Sequence, residues 1–196
     1  DGSYIITGKI GSGNLWGPGY LYVMKINLEG DTLWTNSLFP GIDYSYINSV
    51  GRTIKQTNDG GYIVCGEYDN DFNSENILLM KLNSEGDSLW SKKFGGEDQD
   101  WGIDVEIKDD GGYVVLGKSD SFGNWNSGER TYLINTNSEG DTLWTNIYSG
   151  LDMWDLELTE NGYLFLCGVN GVIDNVGNVD EYKTVINKID LNGFEL

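Results

Sequence analysis

The chain has 196 residues, with 12 basic and 31 acidic side chains, no histidine and a net charge of −19. This balance excludes a nucleic-acid binder, which needs a basic footprint to displace counterions, and an anionic membrane surface would repel it. The missing histidine excludes histidine-dependent triads and His-ligated zinc within this chain, and no apolar run approaches the roughly 20 residues that span a bilayer.

A high count of 28 glycines beside 7 Trp and 12 Tyr points to β structure with many turns. The first unit, about 1–45, opens with the turn DGS and an apolar run from Tyr4. It passes through the polar loop KIGSGNLWGPGY (9–20) to NLEGDTLW (27–34). The second, about 46–100, repeats the plan with DGG, YIVCG from Tyr62, the loop EYDNDFNSEN (67–76) and NSEGDSLW (83–90).

The third unit, about 101–152, shows the plan most fully. WGIDVEIK (101–108) sets Trp101, Ile103, Val105 and Ile107 against polar neighbours, the period-2 pattern of a strand. DDGG (109–112) turns the chain, with glycines free to take positive φ. YVVLG (113–117) reads as a short strand buried on both faces. The loop KSDSFGNWNSGER (118–130) leads to TYLINTN (131–137), and SEGD turns into TLWTNIY (142–148). The fourth unit, about 153–196, keeps the turn ENG, the run YLFLCG, a loop VNGVIDNVGNVDE (169–181) and Gly193.

Tyr4, Tyr62, Tyr113 and Tyr163 thus recur at spacings of 58, 51 and 50, and Gly30, Gly86, Gly140 and Gly193 at 56, 54 and 53. A period of this size holding several short strands predicts an all-β chain, a β-propeller of four-stranded antiparallel blades. NSEGDTLW is then the hairpin between the third and fourth strands of each blade, and its Trp packs between neighbouring blades. The strands should run three, four, four and three. A larger ring is the expected setting, with a closed four-bladed ring and pairing between chains left open. Cys65 and Cys167 occupy the same local frame in non-adjacent repeats, too far apart for a disulfide, and are expected as unpaired, buried apolar residues.

The stretches DGGYIVCG, LLMKLNSEGDSLW and KKFGGEDQDWGIDV resemble the β-propeller repeats of secreted and surface proteins of Bacteroidota-type bacteria, and the strand order is similar to Kelch-like blades. The resemblance spans essentially the whole chain and implies export to the cell surface or medium. It does not imply an activity, because propellers host many unrelated functions.

Alternating strand direction puts the short repeated turns on one face and the long, dissimilar loops on the other, where binding usually resides. Trp16, Tyr20, Tyr44, Tyr68, Phe72, Phe122 and Trp125 are aromatics in or beside those loops and form the candidate ligand face for a protein or glycan. The competing expectation is that each ring folds back to plug its own loop, and Trp101 and Trp154, at strand starts, are expected in the core. Asp69, Asp71, Asn73 and Glu75 alternate oxygen-bearing side chains as at the start of a calcium loop. Ser74 stands where such loops carry glycine, and no distal bidentate glutamate follows; the alternative is a solvated acidic loop. No catalytic residues are singled out, since 31 acids make any carboxylate pair uninformative. The expected function is an exported, non-enzymatic binding or scaffold module. A carbohydrate-active enzyme with its catalytic residues mostly outside this segment is the alternative.

Overall fold

The repeated octapeptide closes its turn with its own asparagine. Asn27, Asn83 and Asn137 each accept the backbone N–H of the aspartate four residues on, at 2.8 Å, while Gly30, Gly86 and Gly140 take positive φ. These turns punctuate a computed structural model that describes residues 2–11, 19–38, 48–69, 75–122, 130–173 and 179–194. The described residues hold fourteen strands: β1 (Tyr4–Gly11), β2 (Gly19–Ile26), β3 (Thr32–Leu38), β4 (Asn48–Gln56), β5 (Tyr62–Asp69), β6 (Glu75–Leu82), β7 (Ser88–Phe94), β8 (Asp100–Ile107), β9 (Tyr113–Ser119), β10 (Arg130–Thr136), β11 (Thr142–Ser149), β12 (Leu151–Leu158), β13 (Tyr163–Ile173) and β14 (Val179–Asp190). Among these residues no helix is long and apolar enough to cross a membrane.

The strands form four antiparallel meanders: β1–β3, β4–β7, β8–β11 and β12–β14. A single parallel pairing, Gly19 with Asn48, joins the first two into one seven-stranded sheet. The core lies between consecutive meanders. Leu21 and Val23 of the first pack on Tyr62, Val64, Leu78 and Met80 of the second. Ile63, Cys65, Ile77 and Leu79 on the second meander's other face pack on Val105, Tyr113, Val115 and Ile134 of the third. Val114, Leu116 and Leu133 then meet Met153, Leu156, Leu164 and Ile189 of the fourth. Strands β5, β6, β9 and β10 are covered on both faces, which explains their near-continuous apolar runs.

The octapeptide tryptophans join these layers, as the repeat predicts. Trp34 meets Tyr62 and Trp90 meets Tyr113 edge-on, each with centroids 6.0 Å apart. Trp144 donates Nε1–H to Leu191 O at 3.0 Å. Two residues further along, Asn36 and Asn146 donate to backbone carbonyls in the next meander's turn, Glu85 O and Gly193 O, and Lys92 pairs with Asp141.

Three expectations need correction. The alternation in β8 is broken by a bulge between Gly102 and Asp104, so Ile103 packs on the fourth meander while Val105 and Ile107 pack on the second. One extra residue in a strand flips the facing of everything after it. Cys65 and Cys167 are both free, but only Cys65 is buried. Residues equivalent to Cys167 are covered by a following meander, whereas Cys167 and its cross-strand partner Ile186 are exposed. Trp154 is not core either, since it is 57% exposed.

Candidate functional site

The described strands carry seven register shifts: three recur beside the octapeptide turns, at Leu33, Leu89 and Leu143, one lies between β13 and β14, and the bulge in β8 belongs to a further set of three. The first strand of each of the last three meanders carries the same defect, at Arg52 in β4, Ile103 in β8 and Trp154 in β12. The spacing is 51 residues each time. A glycine opposes each bulge in the neighbouring strand: Gly66, Gly117 and Gly168. A Cβ on Gly66 would overlap the carbonyl of Val50, one on Gly168 that of Asp152, and one on Gly117 would lie 2.8 Å from Trp101 O. The bulged backbone comes too close for any side chain there. Bulges re-aim side chains, and they are over-represented beside functional sites.

All three re-aimed residues line one cavity of about 490 Å³, together with Glu67, Trp101, Gly102 and Lys118. This volume suits a small organic ligand. The cavity sits toward the end of the sheets that carries the β5–β6 and β9–β10 connections. Lys118, near the end of β9, lies across from Trp101 at the start of β8.

Its charges come in pairs. Arg52 donates from Nε to Glu67 Oε1 at 2.8 Å, with Nη2 at the same distance. The Arg52 side chain is 54% exposed and that of Glu67 only 9%. Burial pushes the Glu67 carboxyl above the usual carboxylate range, and Arg52 partly opposes it. Lys118 forms an ion pair with Asp152, and its ammonium lies 5.6 Å from the centre of the Trp154 ring. The half-buried Trp101 is fixed by its Nε1–H, which donates to Glu75 Oε2. Below the cavity, the buried Asp104 accepts from the backbone of Val105 and Leu156, so burial raises its carboxyl while these bonds lower it.

The cavity therefore includes Trp101 and Trp154 and none of the seven aromatics of the candidate ligand face. Trp16, Tyr44, Phe72 and Trp125 lie outside the described residues, as do Asp71 and Asn73 of the calcium candidate. Tyr20 is exposed on β2. Tyr68 is buried in the core between the first two meanders, with Lys93 Nζ 3.3 Å from its ring centre, so it has no open face to offer. Phe122 folds back onto Tyr132, centroids 5.1 Å apart, and packs against the core between the second and third meanders. Asp69 is buried at the end of β5, opposite Glu75 in the register, and Glu75 is engaged with Trp101. No group of three or more carboxylates or thiols suited to a metal ion occurs among the described residues.

Arg52, Glu67, Ile103 and Lys118 escaped the sequence reading. The signal that could have found them is the strand-interior glycine of YIVCG, YVVLG and YLFLCG, which marks a bulge or a close backbone approach.

No protein-family model matches the chain, and no curated protein matches it in sequence. Among solved structures, the chain is similar to a protein of unknown function from Bacteroides caccae, at a TM-score of 0.35 and 15% identity. The alignment covers 91% of this chain and 76% of that one.

Proposed function

We propose that the four meanders are blades of a β-propeller and that the protein is an exported, non-enzymatic binding module. It would hold a protein or glycan ligand at the cell surface or in a secreted complex. The supporting observation is the convergence of Arg52, Ile103 and Trp154, three equivalent bulge residues from successive meanders, on one cavity. The bulges beside the octapeptide turns recur equally, at Leu33, Leu89 and Leu143, so it is the meeting of these three side chains in one cavity, and not the bulging itself, that supports a ligand seat. The repeat resemblance described above supports export, and the acidic surface suits a soluble exposed domain.

Glycan and peptide arrays probed with the wild-type protein and with Trp154→Ala test this reading. Trp154 is exposed, so its truncation should leave folding intact. A ligand class retained by wild type and lost by the variant supports a binding module seated here. Equal retention by both, across all probes, sinks it.

The carbohydrate-active enzyme remains the second reading, favoured by one observation. Glu67 is a cavity-lining carboxyl raised by burial, the condition a general acid needs. Release of nitrophenol from aryl glycosides by wild type but not by Glu67→Gln would favour it. Its absence favours binding.

A further inference from the structure

We infer that the cavity seats a neutral pyranose ring, stacked on the exposed indole of Trp154 and hydrogen-bonded by the Arg52–Glu67 pair. This rests on the reading of the cavity as a ligand seat and names the class of ligand it takes.

The first argument is charge. Each cation lining the cavity already has a carboxylate: Arg52 has Glu67 and Lys118 has Asp152. The site therefore presents polar groups without a net charge to balance, and a chain of net charge −19 adds a repulsive field against anions. A cationic ligand would have to enter beside two fixed cations, Arg52 and Lys118. A neutral ligand meets neither cost.

The second argument is the geometry of the donors and acceptors. Both Arg52 contacts fall on Glu67 Oε1, which leaves Oε2 as an acceptor and the remaining guanidinium N–H groups as donors. A sugar hydroxyl both donates and accepts, so neighbouring hydroxyls can bridge this pair, one giving its proton to the carboxylate and one accepting from the guanidinium. Charge-assisted bonds of this kind are short and directional.

The third is the apolar surface. Trp154 is 57% exposed, Trp101 is half-buried and held by Glu75, and Ile103 lines the cavity beside them. The C–H face of a pyranose is apolar and flat enough to lie on an indole, while its edge carries the hydroxyls toward Arg52 and Glu67. Exposed tryptophan costs solvation unless something covers it, and here it lines the same cavity as Arg52, Glu67 and Lys118, with the Lys118 ammonium 5.6 Å from its ring centre. The volume of about 490 Å³ suits a sugar of one or two rings.

Calorimetric titration with methyl glucoside, methyl galactoside, methyl mannoside and glucuronate decides the matter, using wild type, Trp154→Ala and Glu67→Gln. At least one neutral glycoside should bind, glucuronate should bind at least about tenfold more weakly, and Trp154→Ala should weaken the neutral sugar by about tenfold. Glu67→Gln keeps the shape and removes the charge-assisted acceptor, so it should also weaken binding, with the melting temperature reporting that the fold survives. Binding of glucuronate tighter than every neutral glycoside would overturn the inference, and so would sugar affinity unchanged in both variants. If no glycoside binds while an array peptide is retained in a Trp154-dependent way, the sugar assignment is overturned and the binding-module reading stands.

Discussion

Trp90→Ala tests the layer-joining role of the octapeptide. Complete truncation of a buried Trp costs about 3–5 kcal/mol. Trp90 is half-buried, so about half of that applies, and its edge-on contact with Tyr113 at 6.0 Å adds about 1 kcal/mol. The expected loss is about 3 kcal/mol, which for a chain of this length lowers the melting temperature by roughly 6–12 °C. The cause can be separated from simple loss of bulk by a second change. Gly140, at φ +77°, lies in the turn of the next meander, and a Cβ there would come within 2.8 Å of the Trp90 ring. Gly140→Ala alone should be destabilising through both left-handed strain and this overlap. In the Trp90→Ala background the ring overlap is gone and the flexible Lys92 side chain, at 2.9 Å, is the next close group, so the double variant should lose less than the sum of the two single losses. Thermal unfolding of the four proteins by circular dichroism measures all terms. A melting temperature for Trp90→Ala within about 1 °C of wild type, or strict additivity of the two losses, would refute the contact as a source of stability.

Acid should weaken the DGG turn between β4 and β5. The Lys81 ammonium and Thr57 hold the Asp59 carboxyl down to about 2, so its contribution is complete above the ordinary range near about 3.9 and is lost as pH falls toward 2. Because Asp59 is largely exposed, screening limits that contribution to about 1 kcal/mol, and Asp59→Asn should flatten this part of the stability–pH curve. A thiol reagent should label Cys167 in the native protein and reach Cys65 only on unfolding, since burial pushes the Cys65 thiol well above its usual range. Labelling of both at equal rates would contradict the burial of Cys65, and a mass change of the unreduced protein on adding reductant would contradict the free thiols. Calcium at millimolar concentration should raise the melting temperature no more than sodium chloride of matched ionic strength, because Glu75 is committed to Trp101 and Asp69 is buried. A calcium-specific increment abolished by Asp71→Ala would establish the loop as a site.

The uneven legibility of this chain follows from the range of the interactions involved. A turn such as NSEGD is settled within five residues, because the Asn83 side chain accepts Asp87 N–H and Gly86 supplies the positive φ. Repetition then multiplies one local inference into fourteen strands, and it carries the tryptophan contacts with it, since packing that recurs needs the same residue each time. The bulges recur as faithfully as the turns, yet they were hidden. Their signature lies in the partner strand, at Gly66, Gly117 and Gly168, while the bulged residues themselves are an arginine, an isoleucine and a tryptophan. A structural position repeats its chemistry when the same neighbours surround it, and these three side chains meet different company at a shared cavity, Arg52 with Glu67, Ile103 against the core of the fourth meander and Trp154 near Lys118. Burial escaped for the related reason that it is never local. Cys65 and Cys167 share the frame of a cysteine followed by glycine, but one is packed in a cluster with Val105 and Val115 and the other is exposed. The same logic runs in reverse for function. Columns that keep their residue, such as Trp34, Trp90 and Trp144, report packing that recurs, whereas the column of Arg52, Ile103 and Trp154 keeps its bulge and changes its side chain, which makes it the place where a ligand is to be tested.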